Sequence, residues 1–349
     1  MYENKQFTTP IWQGNTVFWE SFMPLEEKVI PLLYHADEIL SLKNATGEKE
    51  YQYGKDYMLR DGKIVIPDGS AIEMIPLEVY HPKESDHPEF NCADGTHLIF
   101  SENMLFHKKY QYLVSYRHSD KWAGPVPQFH ENKLKKTRQK LLNQEPFTLG
   151  FYGDSITEGY NSSGMKSVNV PPFVPVWPSM VWERLKTEAS YDKIQYLNKA
   201  VGGKATNWGI ENVETAFRET PPDLFILGFG MNDATGDMNR FTFLDNIKVI
   251  CEKILTLNPE CELLLVSTTL PNELAVRFYK DQYTHESLLS ALAEQYGEIA
   301  DIACMTKMHK YLLSKKRYVD MTGNNINHPN DFLARIYAQV ILSHIITLS

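Results

Sequence analysis

Long apolar runs are missing from this 349-residue chain. No stretch reaches the roughly 18 apolar residues that a membrane-spanning helix requires. The first ten residues carry Glu3, Asn4, Lys5 and Gln6 where a secretory signal would place an apolar block. Together these absences argue against a membrane protein or a secreted precursor, and the expected location is cytoplasmic. Cysteine is scarce too: Cys92, Cys251, Cys261 and Cys304 are scattered without C-x-x-C spacing, so they suggest no zinc site, redox pair or disulfide framework. Positive charge is in deficit, 35 Lys plus Arg against 44 Asp plus Glu for a formal charge of −9. That balance opposes nucleic-acid binding, which needs a basic face to release counterions from phosphates. The one basic run, Lys133, Lys135, Lys136, Arg138 and Lys140, reads as the exposed face of a short helix. Internal repeats and low-complexity tracts are absent as well. What is present is ordinary globular composition, 43% hydrophobic, in a chain long enough for two domains at roughly 150 residues each.

The first 115 or so residues read as strands and turns: 16–22, 29–34, 57–60, 63–66, 96–100 and 110–116. Asp61-Gly62 lies between two of them, where a tight hairpin demands positive φ. A β-sandwich of jelly-roll type is expected over residues 1–125, serving as a support, a carbohydrate-binding surface or a wall of a neighbouring site. Residues 126–146, rich in Pro and basic side chains, read as a linker with a short helix. From 147 to 349 the pattern alternates. Short apolar runs at 147–152, 194–197, 224–228, 263–267 and 299–303 are separated by amphipathic stretches such as 243–257, with Leu244, Ile247, Ile250, Cys251 and Ile254 at helical spacing. Five strands with helical crossovers imply an α/β domain with a five-stranded parallel sheet, covered on both faces as in flavodoxin-like three-layer folds. Its ligand site belongs beyond the carboxyl ends of the strands.

Reactive residues should therefore follow the strands. Gly153-Asp154-Ser155 follows the first, and Ser155 there is either a nucleophile at a helix start or, with Asp154, a helix cap. Gly203 follows the second strand and is either an oxyanion donor or a turn glycine. Gly230-Met231-Asn232-Asp233 follows the third, where Asn232 donates to the same oxygen or forms an Asx turn while Asp233 anchors the loop. Before the last amphipathic helix, 332–346, stands Asn325-Ile326-Asn327-His328-Pro329-Asn330-Asp331, and His328 is the candidate base. The other ten histidines, His344 among them, lack such a setting and read as solvated or structural.

These four blocks in chain order, Gly153-Asp154-Ser155, Gly203, Gly230-x-Asn232-Asp233 and His328-Pro329, resemble the SGNH (GDSL) hydrolase family over about residues 145 to 349. The layout also looks like family members with an amino-terminal β-sandwich, many of which act on acylated carbohydrates. The resemblance implies a carboxylic ester hydrolase in which Ser155 attacks, His328 is the base, and the N–H of Ser155, the N–H of Gly203 and the side chain of Asn232 form the oxyanion hole. It calls for no cofactor and no metal. One departure stands out. The family places an Asp three residues before the catalytic His, and here that position is Asn325. The imidazole is then oriented by Asn325 itself, by Asp320, by Asp331 or by a backbone carbonyl in a Ser-His dyad, with Asp320 or the dyad favoured because Asp331 is wanted as a helix cap.

A short acyl ester, acetyl first, on a small-molecule or oligosaccharide substrate is the leading reading, since no feature suggests a deep acyl tunnel. Trp122, Trp177 and Trp208 are either sugar-stacking side chains or core, and the loop from 160 to 177 walls a pocket. Two rivals stay open: a lipase or thioesterase on longer acyl chains, and a weak or inactive glycan-binding homologue. His328 must be neutral to act as the base, so the rate should rise with pH through about 6 to 7.

Overall fold

A computed structural model describes residues 3–100 and 105–348. The amino-terminal part is built from strands β1 (Thr16–Phe22), β2 (Val29–Ile30), β3 (Glu38–Asn44), β4 (Met58–Arg60), β5 (Lys63–Val65) and β6 (Tyr112–Arg117). They form two three-stranded antiparallel sheets, ordered β1-β6-β3 and β2-β5-β4. Asp61 and Gly62 both take positive φ, 50° and 69°, in the β4–β5 hairpin, so the Asp-Gly signal marks the turn it predicts. Three expectations differ. The run at 29–34 is a strand only over Val29–Ile30. β3 was not anticipated, because its burial alternates only weakly on a surface strand. The run at 96–100 makes a single bridge, His97 to Asn91, instead of a strand.

The remainder is an α/β domain. Strands β7 (Phe147–Gly153), β8 (Ile194–Asn198), β9 (Leu224–Gly228), β10 (Glu262–Val266) and β11 (Ala300–Ala303) form one parallel sheet in the order β11-β10-β9-β7-β8. Successive side chains of a strand point to opposite faces, and here both faces are apolar. Leu224 and Ile226 of β9, with Leu264 and Val266 of β10, pack with Trp177, Met180, Ile336 and Tyr337 on one face. Phe225, Leu227, Leu263 and Leu265 pack with Val213, Ile250 and Leu289 on the other. The chain leaves β7 toward β8 on one side and later returns as β9 on the other. A crevice therefore opens at the carboxyl ends of β7 and β9.

The helix Lys135–Leu142 docks along the opposite end of the sheet. Its first N–H groups, those of Lys136 and Thr137, donate to Glu262 at 3.1 and 2.7 Å. Lys133, Lys135, Lys136 and Lys140 pair with Glu294, Glu298, Glu260 and Asp223. The basic run is thus an ion-paired seam, not merely a solvated face, because the acids flanking β9, β10 and β11 gather beneath it. The two parts of the chain also share apolar surface, with Val17, Phe22 and Tyr116 in one cluster with Phe332, Leu333 and Tyr337. A fully buried ion pair, Lys316 Nζ to Glu20 Oε1 at 2.5 Å, crosses between them. Among the described residues, no helix is long and apolar enough to cross a membrane.

Candidate active site

The first block folds as a hinge. Gly153 pairs with Gly228 across β7 and β9, and a Cβ at 153 would stand 2.1 Å from the Gly228 carbonyl oxygen, so no other residue fits this crossing. Asp154 then caps the short helix Ser155–Glu158, accepting from the Ile156 N–H at 3.0 Å. Capping falls to Asp154, which leaves the Ser155 hydroxyl for other work.

That hydroxyl meets His328. Ser155 Oγ lies 2.8 Å from His328 Nε2, although 173 residues separate them. The other ring nitrogen, Nδ1, lies 2.6 Å from Asn161 Oδ1. An amide oxygen only accepts, so Nδ1 carries the proton and donates it, and the Nε2 lone pair faces the serine hydroxyl. This is the tautomer that a general base for serine requires.

The residues expected to orient the ring are engaged elsewhere. Asn325, with φ of 71°, turns its side chain away from His328: its Oδ1 accepts from the Tyr80 hydroxyl at 2.5 Å and from Asn272, and its Nδ2 donates to the Ile99 carbonyl. Asp320 accepts from the Met23 N–H at 2.9 Å and pairs with Arg317 at 2.9 Å, joining β1 to the loop before the last helix. Asp331 accepts from the Ser163 N–H at 2.7 Å and pairs with Lys108. Nor, among the described residues, does a backbone carbonyl hold the ring. The partner is Asn161, which the sequence reading missed. Asn161 follows a helix stop at Gly159 and has φ of 65°, a conformation Asn tolerates, but spacing alone does not reveal that the returning chain reaches His328. Asn324 was missed too. Its Oδ1 accepts from the N–H groups of Ile326, Asn327 and His328, forming the turn that presents the imidazole.

The middle blocks converge on the same crevice. Gly202 N–H donates to Glu158 Oε2 at 2.6 Å and Val201 N–H to the Gly153 carbonyl, tying the Gly203 loop to the serine turn. Gly203 has φ of 73° with open space where a Cβ would stand. Asn232 Nδ2 donates to the Lys204 carbonyl at 2.9 Å, which engages one of its two amide hydrogens. Asp233 accepts from both the N–H and the hydroxyl of Thr206, at 2.8 and 2.5 Å, anchoring its loop to the start of the helix Thr206–Phe217. The Tyr160 ring lies 5.6 Å from that of His328.

Burial lowers the His328 imidazole from 6.5 to about 4, and the partner at Nδ1 among the described residues is the neutral Asn161 amide. An acid limb set by this imidazole would therefore be expected near 4 instead of the 6 to 7 of an ordinary histidine. Burial, with some help from Asp233, raises Asp154 to about 7, and burial raises Asp233 as well.

The tryptophans are engaged in packing. Trp177 is fully buried, donating to the Ile156 carbonyl and stacking on Tyr337, so it supports the serine helix from behind. Trp208 stacks on Tyr152, and Trp122 packs on Tyr311. Three cavities among the described residues, of about 490, 440 and 420 Å³, are lined by other residues than Ser155 and His328.

The family described as GDSL-like Lipase/Acylhydrolase matches residues 151–335, just over half of the chain. The chain belongs to this family. The family is described as one of lipases and acylhydrolases, and in this chain its α/β domain is preceded by antiparallel sheets. No curated protein sequence matches it. Among solved structures it is similar to a two-domain esterase active on acetylated mannans, at 21% identity and TM-score 0.48 over 61% of this chain and 53% of that one. The match thus spans about half the length of that esterase. It is also similar to an acetyl xylan esterase, at 19% identity and TM-score 0.44 over 56% of this chain and 97% of the other. A carbohydrate esterase from Talaromyces cellulolyticus is 15% identical, with TM-score 0.44 over 56% and 94% of the two chains.

Proposed function

We propose that this GDSL hydrolase removes a short acyl group, acetyl first, from a carbohydrate alcohol. Ser155 is the nucleophile, His328 the general base and Asn161 the group that holds the imidazole. The observation that carries the reading is the relay from Ser155 Oγ to Nε2 at 2.8 Å and from Nδ1 to Asn161 Oδ1 at 2.6 Å. His328 takes the hydroxyl proton as Oγ attacks the acyl carbonyl. The oxyanion is met by the N–H groups of Ser155 and Gly203 and by the remaining amide hydrogen of Asn232. His328 then gives the proton to the departing alcohol, and water cleaves the acyl-enzyme by the same route in reverse.

A polar alcohol is supported by what surrounds the pair: Glu158, Tyr160, Asn161, Lys204 and Asn232 all belong to the loops that meet there. The apolar cavity of about 420 Å³, lined by Phe129, Leu141, Leu142, Leu185 and Ile345, lies against the linker helix and offers no acyl channel at Ser155. Comparing nitrophenyl acetate with nitrophenyl octanoate tests acyl length. The reading expects kcat/KM to favour acetate; a preference for octanoate overturns it in favour of a lipase or thioesterase. Release of acetate from an acetylated oligosaccharide, abolished in Ser155→Ala, tests the alcohol.

A further inference from the structure

Three side chains from distant parts of the sequence meet at the edge of the parallel sheet, well away from Ser155. His130 comes from the linker, Asp301 from β11 and His344 from the last helix. Their ligand atoms all lie within 4.8 Å of one another. His344 Nδ1 is 2.8 Å and His130 Nδ1 3.2 Å from the same carboxylate oxygen, Asp301 Oδ2. Asp301 is level with Phe151 in the sheet and three strands away, so by strand spacing and rise it stands on the order of 15 to 20 Å from Ser155.

We propose that His130, Asp301 and His344 form a site for a divalent transition metal of the zinc class, distinct from the esterase centre. Two imidazoles and one carboxylate are a donor set that zinc uses. Bonds of about 2.0 to 2.2 Å to a tetrahedral ion would separate neighbouring ligand atoms by about 3.3 Å, close to the spacing already present around Oδ2. The carboxylate is oriented from behind, since Asp301 Oδ1 accepts from the Ile302 N–H at 2.9 Å. Both histidine backbones are clamped by one guanidinium, as Arg138 donates to the His130 carbonyl at 2.7 Å and to the His344 carbonyl at 3.4 Å. Such support fixes ligands before the ion arrives.

Access and vacancy are also provided for. Asp301 and His344 are buried, but the His130 side chain is 43% exposed. A cavity of about 180 Å³ lined by Gln128, His130, Cys304, Lys307 and His344 adjoins the cluster and leaves room for a water as a further ligand. Because His130 belongs to the linker, a bound ion would fasten the linker to β11 and to the last helix. The site is thus built to stabilise rather than to take part in ester cleavage. The cysteine pattern gave no hint of it, because none of its ligands is a cysteine and they are 171 and 43 residues apart.

The test is titration of the chelator-treated full chain with ZnCl₂ by calorimetry near neutral pH, with Co²⁺ as a visible-absorption probe and the thermal midpoint as a second readout. The wild-type protein should bind one zinc per chain saturably and melt higher with zinc than without. His130→Ala, a change at a half-exposed side chain, should weaken binding by at least about tenfold and abolish the thermal gain. His35→Ala, at an exposed histidine paired with Asp120, should change neither. Absence of saturable zinc binding in the wild type, or the same affinity and Co²⁺ spectrum in His130→Ala, overturns the proposal.

Discussion

Exchanging Asn161 for Asp separates a neutral relay from a charged one. The Oδ1 to Nδ1 distance is 2.6 Å, so a carboxylate placed there would touch an imidazole that burial holds at about 4. An opposite charge in contact raises a histidine by about 1 to 3 units. The acid limb of kcat/KM should therefore move from about pH 4 to roughly pH 5–7 in Asn161→Asp. The fully developed rate should persist, since Asp still accepts from Nδ1–H. Asn161→Gly is the companion, because it removes the side chain without straining the positive φ. An unmade bond to a buried donor costs about 1 to 3 kcal/mol, so kcat/KM should fall by about 5- to 150-fold with little change in fold. The assay is hydrolysis of a nitrophenyl acetate from pH 3.5 upward, corrected for spontaneous hydrolysis. Superimposable pH profiles in wild type and Asn161→Asp, with Asn161→Gly within about twofold of wild type, would refute the role assigned to Asn161.

Other consequences follow from the same geometry. Asn232→Ala should lower kcat by about 10²- to 10³-fold while the fold stays intact, as for loss of one oxyanion donor; a loss under about threefold would remove Asn232 from the site. Asp154 ionises near 3.8 when unfolded and at about 7 when folded, so its contribution to stability is complete below pH 3.8 and is lost as pH rises through 7. Urea unfolding of the wild type should therefore show stability declining between pH 5 and 8 more steeply than in Asp154→Asn, and equal slopes would contradict this. Lys316→Met strands Glu20 in a fully buried setting and should cost about 3 to 5 kcal/mol in urea unfolding; a loss below about 1 kcal/mol would show the pair to be dispensable.

The α/β half was readable because both faces of its sheet are buried. Runs such as Leu224–Gly228 are continuous in apolar character, so their edges fall within a residue or so of the observed strands. The amino-terminal half was less so, because its short, half-exposed strands, such as β3, carry little periodicity. At the site, Ser155 and His328 were legible because each is fixed by a local rule, a turn after a strand or before a capped helix. Asn161 was not, because its role depends on the chain doubling back after Gly159 and on Asp331 holding Ser163 in place. Asn325 misled for a related reason: its position three before the histidine is occupied, but the amino-terminal part claims its side chain through Tyr80 and Ile99. Contacts between distant segments do not show in linear spacing.

The most direct measurement is reaction with a fluorophosphonate, followed by mass spectrometry of the digested protein. The account predicts one stoichiometric adduct, on Ser155, formed rapidly in the wild type and far more slowly in His328→Ala. An intact, esterase-active protein that is labelled at another serine, or that reacts at the same rate without His328, would contradict it.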